Sequence, residues 1–366
     1  MALVFTKKSE ISLFNLTGSD RLGRYITLLS IKYPVASVVI ACLLGFIAPG
    51  IAFVEGNWSN PSLELDVVRD LGWWNQFLLA FPALVYLSGA YLGAFPRTLR
   101  HLVNAGVILA SEAEWKAIRR STKDFVSHPA VSYFPYFFGL LVATASTLLF
   151  LTGNSWIDVR FFLAGWLVPF QVFLLYYFLA YIALRIVSVY LVLSKLFRLN
   201  VNIQPFHADG CGGLKSLSNQ SSRLTVTTIA FGVIITIAMY TNIAIYELNP
   251  FGVYNLLMFS VYVVVAVLSF FLPLYATSTS MQAAKQHLIG LITEREEKLG
   301  SEQNLSKPDQ KNLNEYGEED LKALLSLKQT VRAMQVWPFT PGAIVRFFGS
   351  VAIPILVISV QVLVNL

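Results

Sequence analysis

The chain has 366 residues, 55% of them hydrophobic and 13% charged, with a formal net charge of +6. Soluble domains carry about 25% charged residues. Half that figure, with long uncharged runs, excludes an ordinary water-soluble domain and indicates an all-α, polytopic integral membrane protein.

The N-terminal stretch MALVFTKKSE has too short an apolar run for a cleaved signal peptide, so insertion is expected to begin with the first spanning helix. A span needs about 20 mostly apolar residues. Seven windows meet this: 34–54, 73–95, 131–152, 161–184, 224–246, 251–275 and 347–366. None contains Asp, Glu, Lys, Arg or His. The first 33 residues are read as a cytoplasmic segment and 34–275 as a six-span bundle. Residues 276–340 are read as cytoplasmic helices with a disordered linker, and 341–366 as the seventh span.

Lys and Arg in the segments between the windows number 5, 1, 6, 1, 5, 0 and 9 from the N-terminus, so alternate segments hold 25 and 2. Positive charge stays on the cytoplasmic side. The N-terminus is therefore expected inside and the C-terminus outside, in a bacterial inner membrane. The basic balance then reflects orientation and anionic lipid rather than nucleic acid. The cysteines, Cys42 and Cys211, fall on segments assigned to different compartments, and no disulfide is expected. The outer loop EGNWSNPSLELDVVRDLG is acidic and reads as solvated.

Much of the polar mass falls on the cytoplasmic side. After the fourth window, Arg185, Lys195 and Arg198 are spaced by apolar residues, so helix is expected from 161 to 199. Such a helix is about 58 Å long at 1.5 Å per residue, against a bilayer core of about 30 Å. The sixth span is expected to overrun likewise, towards Gly300. The polar SEQNLSKPDQKNLNEYGEED reads as disordered, and a helix follows over 318–336 with Leu321, Leu324, Leu325, Leu327, Val331 and Met334 at helical spacing. A further amphipathic segment, LRHLVNAGVILASEAEWKAIRRSTKDF, joins spans two and three. Together these form a cytoplasmic helical layer suited to subunit assembly or to sensing a small cytoplasmic ligand.

The stretch PFHADGCGGL, residues 205–214, is the densest group of chemically capable residues. Four readings compete. As a metal site it offers His207 and Asp209, with Cys211 a third ligand, whereas zinc takes three or four; His101, His128 and His287 lie on other cytoplasmic segments. As a catalytic pair, His207 and Asp209 need a nucleophile, for which Cys211 alone is near in sequence. As a phosphate cradle, Gly210, Cys211, Gly212 and Gly213 would aim backbone N–H groups at an anion. As a tight reversal, Pro205 ends one segment, the glycines permit positive φ, and Asp209 bonds its own loop. The reversal asks least of the sequence, leaving a shaped hinge that serves as a ligand or gating loop. No cofactor is expected.

PFHADGCGGL and VWPFTPGAIVRFFGSVAIPIL together resemble signatures of a group of uncharacterised bacterial polytopic membrane proteins. There the first reads roughly His-Pro-Asp-x-x-Gly-Gly-Leu and a Trp-Pro-Phe/Leu stretch precedes the last span; Ala208 stands here in place of the proline. The seven-span plan, with helices extended into the cytoplasm and a last helix after a polar linker, is similar in architecture to insect odorant and gustatory receptors. That likeness implies a homo-oligomeric cation channel with a cytoplasmic anchor and a pore lined by the last helix. Gln361 occupies a place similar to the glutamine of their seventh helix, without the preceding Thr-Tyr pair.

Uncharged spans argue against proton-coupled pumps and voltage sensors, which keep ionisable groups at membrane depth. The expected function is an oligomeric, passive, ligand-gated ion-conducting pore of a bacterial inner membrane. Uncharged pore-lining candidates are Gln361 and Ser359, with Asn75, Gln76, Gln171, Thr241 and Asn242; for each, an interhelical hydrogen bond is the simpler role. The alternatives are a membrane-bound enzyme working at His207 and Asp209, and a membrane effector or partner in a stress or phage-defence system.

Overall fold

The computed structural model describes residues 21–60, 66–150, 163–199, 281–298 and 311–333, with isolated positions elsewhere between 214 and 356. Among the described residues the chain is helical, with no strand. The helices are α1 (Arg21–Lys32), α2 (Pro34–Val54), α3 (Leu71–Trp74), α4 (Phe81–Asn104), α5 (Glu112–Ser127), α6 (Pro129–Phe150), α7 (Leu163–Leu196), α8 (residues 281–298) and α9 (Lys311–Ala333).

Three helices are long and apolar enough to cross a membrane: Pro34–Val54, Pro129–Leu148 and Leu163–Leu196. They correspond to the first, third and fourth expected spans. The second differs. It is a helical path from Leu71 to Asn104 in which α3 runs into a π turn, Asn75–Ala80, and then α4. Pro82 explains the turn. It has no N–H, and the Phe81 N–H bonds to Gln76 O, five residues back. The ladder thus shifts register ahead of the proline. The expected spans at 224–246, 251–275 and 347–366 lie outside the described residues except at scattered helical positions.

Helix ends follow local chemistry. Proline disfavours helical geometry in the residue before it, and Tyr33, ahead of Pro34, has φ −135° and ψ 67°, which separates α1 from α2. The Asp70 carboxylate accepts from Trp73 N at 2.8 Å and starts α3. Gly106, at φ +67°, follows the end of α4. The linker reading is corrected at its C-terminal half, since α9 begins at Lys311. From Lys311 to Ala333 the sequence is proline-free and rich in Glu, Lys and Leu, which lose little on entering a helix.

What α2 buries is size-selected rather than polarity-selected. Ser37, Ala41, Gly45, Ala48, Pro49 and Ala52 face the bundle, while Val39, Ile40, Leu43, Phe46, Ile47 and Phe53 are exposed. Lipid offers no hydrophobic drive to bring helices together, so small residues that permit close approach mark the interface. A Cβ on Gly45 would stand 2.9 Å from Phe77 O. α4 repeats the device: Gly89 and Gly93, four residues apart, receive Ser30 and Ile31 of α1.

Two hydrophobic clusters result. The first joins α2, the π turn, α4, α6 and α7 around Phe77, Phe81, Tyr177, Phe178 and Tyr181. The second joins the C-terminal halves of α4 and α7 to α5 and Met281, through Leu99, Leu102, Trp115, Ile118, Val192, Leu193 and Leu196. α7, with 34 residues, is about 51 Å long and runs through both. Its far turns are about 20 Å more than a bilayer core of about 30 Å requires.

Candidate functional site

The residues expected to form the gating, metal or catalytic loop, His207, Asp209, Gly210, Cys211, Gly212 and Gly213, lie outside the described residues, as do Ser359, Gln361, Thr241 and Asn242. The flanks of the loop are described. Leu214, its last residue, is fully buried in the second cluster, and Leu199, at the end of the α7 segment, packs against the same cluster. Leu217 N donates to Leu214 O at 2.9 Å. Both ends of residues 200–213 are therefore held by one apolar core made of α4, α5 and α7.

The remaining histidines do not gather. His101, His128 and His287 are exposed. Among the described residues no group of three His, Cys, Asp or Glu side chains could hold a metal ion. Cys42 is a free thiol, half-buried on α2.

Two of the polar residues expected to line a pore are buried inside the first cluster. Gln171 Nε2 donates to Leu44 O at 2.7 Å and to Gly45 O at 3.3 Å. Gly45 O is the carbonyl that Pro49, four residues on, leaves without its helical N–H. A neighbouring side chain commonly satisfies such a freed carbonyl in a membrane helix, and α7 supplies it here. Asn75 Nδ2 donates to Ile234 O at 3.0 Å, tying the π turn to that residue. Both amides hold helices together, the simpler of their two expected roles. Gln76 is half-buried beside Asn75.

Sequence reasoning missed the polar group at the junction of the clusters. Arg185 is only 6% exposed. Its guanidinium lies 4.4 Å from the centroid of the Tyr181 ring, and the Tyr181 hydroxyl accepts from Thr27 Oγ1 of α1 at 3.4 Å. Tyr181 also stacks on Phe178 and Tyr177, so α1, α7 and the aromatic column are joined at one point. Burying a guanidinium costs several kcal/mol unless it is compensated, and the ring face offsets part of that. The available signal was the spacing of Arg185 four residues after Tyr181, one helical turn.

At the N-terminal end of α7, Glu55 after α2 acts as its cap. Its carboxylate accepts from Leu163 N at 2.6 Å and from Ala164 N at 3.3 Å. An anion there also meets the positive end of the α7 dipole. Trp58, Trp73, Trp74, Phe46 and Phe53 pack edge to face around the same end.

α5 and the α8–α9 pair are polar elements with defined partners. Ser111 and Glu114 form a reciprocal capping box at the start of α5. Lys328 of α9 pairs with Glu296 of α8, and Lys285 Nζ donates to Arg332 O at 2.6 Å. The hydrogen bonds from the Ser111 hydroxyl and then from its backbone N–H hold the Glu114 carboxyl below its ordinary pKa. A lowered folded pKa stabilises above the unfolded value and is lost as pH falls through the folded one. Acidification through the carboxylate range is thus expected to fray the first turn of α5. Amide exchange at residues 111–115 reads this; protection that does not change with pH would contradict it.

Among the described residues the chain is an all-helical bundle, with three helices long and apolar enough to cross a bilayer and a second apolar core beyond the first. No family model, curated protein or solved structure matches it.

Proposed function

We propose that the protein is a subunit of an oligomeric, passive ion-conducting pore of a bacterial inner membrane, gated through a cytoplasmic helical layer. The observation that carries this reading is the distribution of charge along the spans. α2, α6 and α7 contain no ionisable Asp, Glu, Lys, Arg or His until Arg185, 22 residues after Leu163 and so about 33 Å along α7. In this reading Arg185 stands at the inner edge of the bilayer. A proton relay or voltage sensor would need such groups at depth; a passive path does not.

The ion path in this reading runs between protomers. The first cluster is filled by aromatic side chains, and Asn75 and Gln171 are committed to interhelical hydrogen bonds inside it. The last span, with Ser359 and Gln361, lines the path, in keeping with the receptor-like plan. The N-terminus lies inside and the C-terminus outside, with seven spans. The second cluster, carried by the far turns of α7, lies in the cytoplasm. It holds both ends of the loop bearing His207 and Asp209, so a small ligand on that loop acts on α4, α5 and α7 together.

Ion flux through purified protein in liposomes tests this, with a His207→Ala/Asp209→Ala variant for comparison. Wild-type flux that the double variant changes is the expected result. Flux unchanged by the variant would keep the pore and make the loop a structural reversal. No flux from well-folded protein overturns the pore and favours a membrane-bound enzyme or effector.

A further inference from the structure

α5 separates its residues sharply. Trp115, Ile118, Thr122 and Val126 are buried at a spacing of three and four residues, with Trp115 and Ile118 in the second cluster. One flank presents Lys116, Arg119, Arg120 and Lys123, all exposed. The carboxylates of the helix are largely engaged. Glu112 pairs with Lys116 at 3.0 Å and Glu114 belongs to the capping box. Arg119, Arg120 and Lys123 make no ion pair among the described residues, and exposed Asp124 is the one carboxylate beside them.

This stripe sits directly before a spanning helix. α5 ends at Ser127 and α6 begins at Pro129, after a single extended residue, His128. The first turns of α6 expose Tyr133, Phe134 and Phe137, aromatics of the kind that settle at headgroup level. Unpaired cations on an amphipathic helix, within two or three turns of a membrane span and an aromatic belt, match the chemistry of anionic headgroups.

We propose that Arg119, Arg120 and Lys123 of α5 bind anionic phospholipid headgroups at the inner face of the membrane. The buried face fixes α5 on α7, so the cations are presented at a set depth and bind without first ordering a loop. This proposal rests on the membrane reading and on α5 lying inside, but not on ion conduction. Flux and lipid retention therefore fail independently.

The test reconstitutes the full chain in phosphatidylcholine vesicles with and without phosphatidylglycerol. After extraction in mild detergent, the lipid retained per protein is measured by mass spectrometry. The wild type is expected to enrich phosphatidylglycerol, and R119Q/R120Q to lower that enrichment about ten-fold or more, since each cation near an anionic surface contributes about 1 kcal/mol. A charge-matched control on α8, R295Q/K298Q, is expected to keep it. R119K/R120K is expected to keep most of it and so separates charge from folding. Raised salt should weaken it, because the cations are exposed. Enrichment unaffected by R119Q/R120Q, or lowered equally by the α8 control, overturns the site. Retention of nucleic acid in place of phosphatidylglycerol overturns it as well.

Discussion

Gly139→Ala is expected to lower the thermal stability of the detergent-solubilised protein, whereas Gly50→Ala leaves it equal or raises it. Both glycines lie within helices, where alanine is favoured over glycine by about 0.5–1 kcal/mol. Their surroundings reverse the sign. A Cβ at Gly50 has no neighbour within 4 Å. At Gly139 it would stand 2.9 Å from Phe173 O and 3.0 Å from both Tyr177 N and Tyr177 Cβ. Two of those three atoms are backbone, and Tyr177 is wedged against Tyr136 and Phe173, so neither helix can yield locally. Overpacking of this kind costs about 1–3 kcal/mol, which exceeds the propensity gain and must be met by separating α6 from α7. Thermal midpoints of the two variants decide it: a Gly139→Ala protein that melts at or above wild type would mean that the seam is looser than these distances.

Gln171→Leu is expected to cost about 1–3 kcal/mol through a carbonyl left buried without a donor, and Pro49→Ala is expected to recover part of that loss. Pro49 removes the N–H that Gly45 O would take within α2, and Gln171 Nε2 supplies a substitute from α7. Restoring the helical N–H makes the glutamine less necessary at Gly45, though Leu44 O still loses its contact. The double variant should therefore lose less than the two single variants combined, an interaction of the 0.5–3 kcal/mol seen for directly coupled residues. Strict additivity of the stabilities would show that the amide and the proline act independently. A pore-lining role for Gln171 would appear instead as altered flux with unchanged stability.

α2 was legible because its evidence is local. The apolar run PVASVVIACLLGFIAPGIAFV and Pro34 at the first helical position fix both its existence and its start, and the expected bounds coincide with the observed ones. The length of α7 beyond a bilayer was legible for the same reason: helix continues while apolar residues alternate with Arg185 and Lys195 and no helix breaker follows Pro169. The second path was legible as apolar but not as a π turn, since that turn depends on which carbonyl the Phe81 N–H selects. The roles of Asn75 and Gln171 were open, because a polar residue in an apolar run reads equally as a pore wall or as an interhelical clasp.

The sequence by itself determined the helical class, the three helices long and apolar enough to cross a membrane and the amphipathic character of α5, because hydropathy, proline position and periodicity act through neighbours along the chain. Only the tertiary structure decided that Gly45, Gly89 and Gly139 are points of close approach, that Gln171 answers Pro49, and that Arg185 is buried on Tyr181 at the junction of two cores. Each of these is a meeting of residues remote in sequence. In a chain apolar on every side, hydrophobicity does not say which face of a helix is turned inward; side-chain size and backbone hydrogen bonding do, and both take effect only once the helices meet.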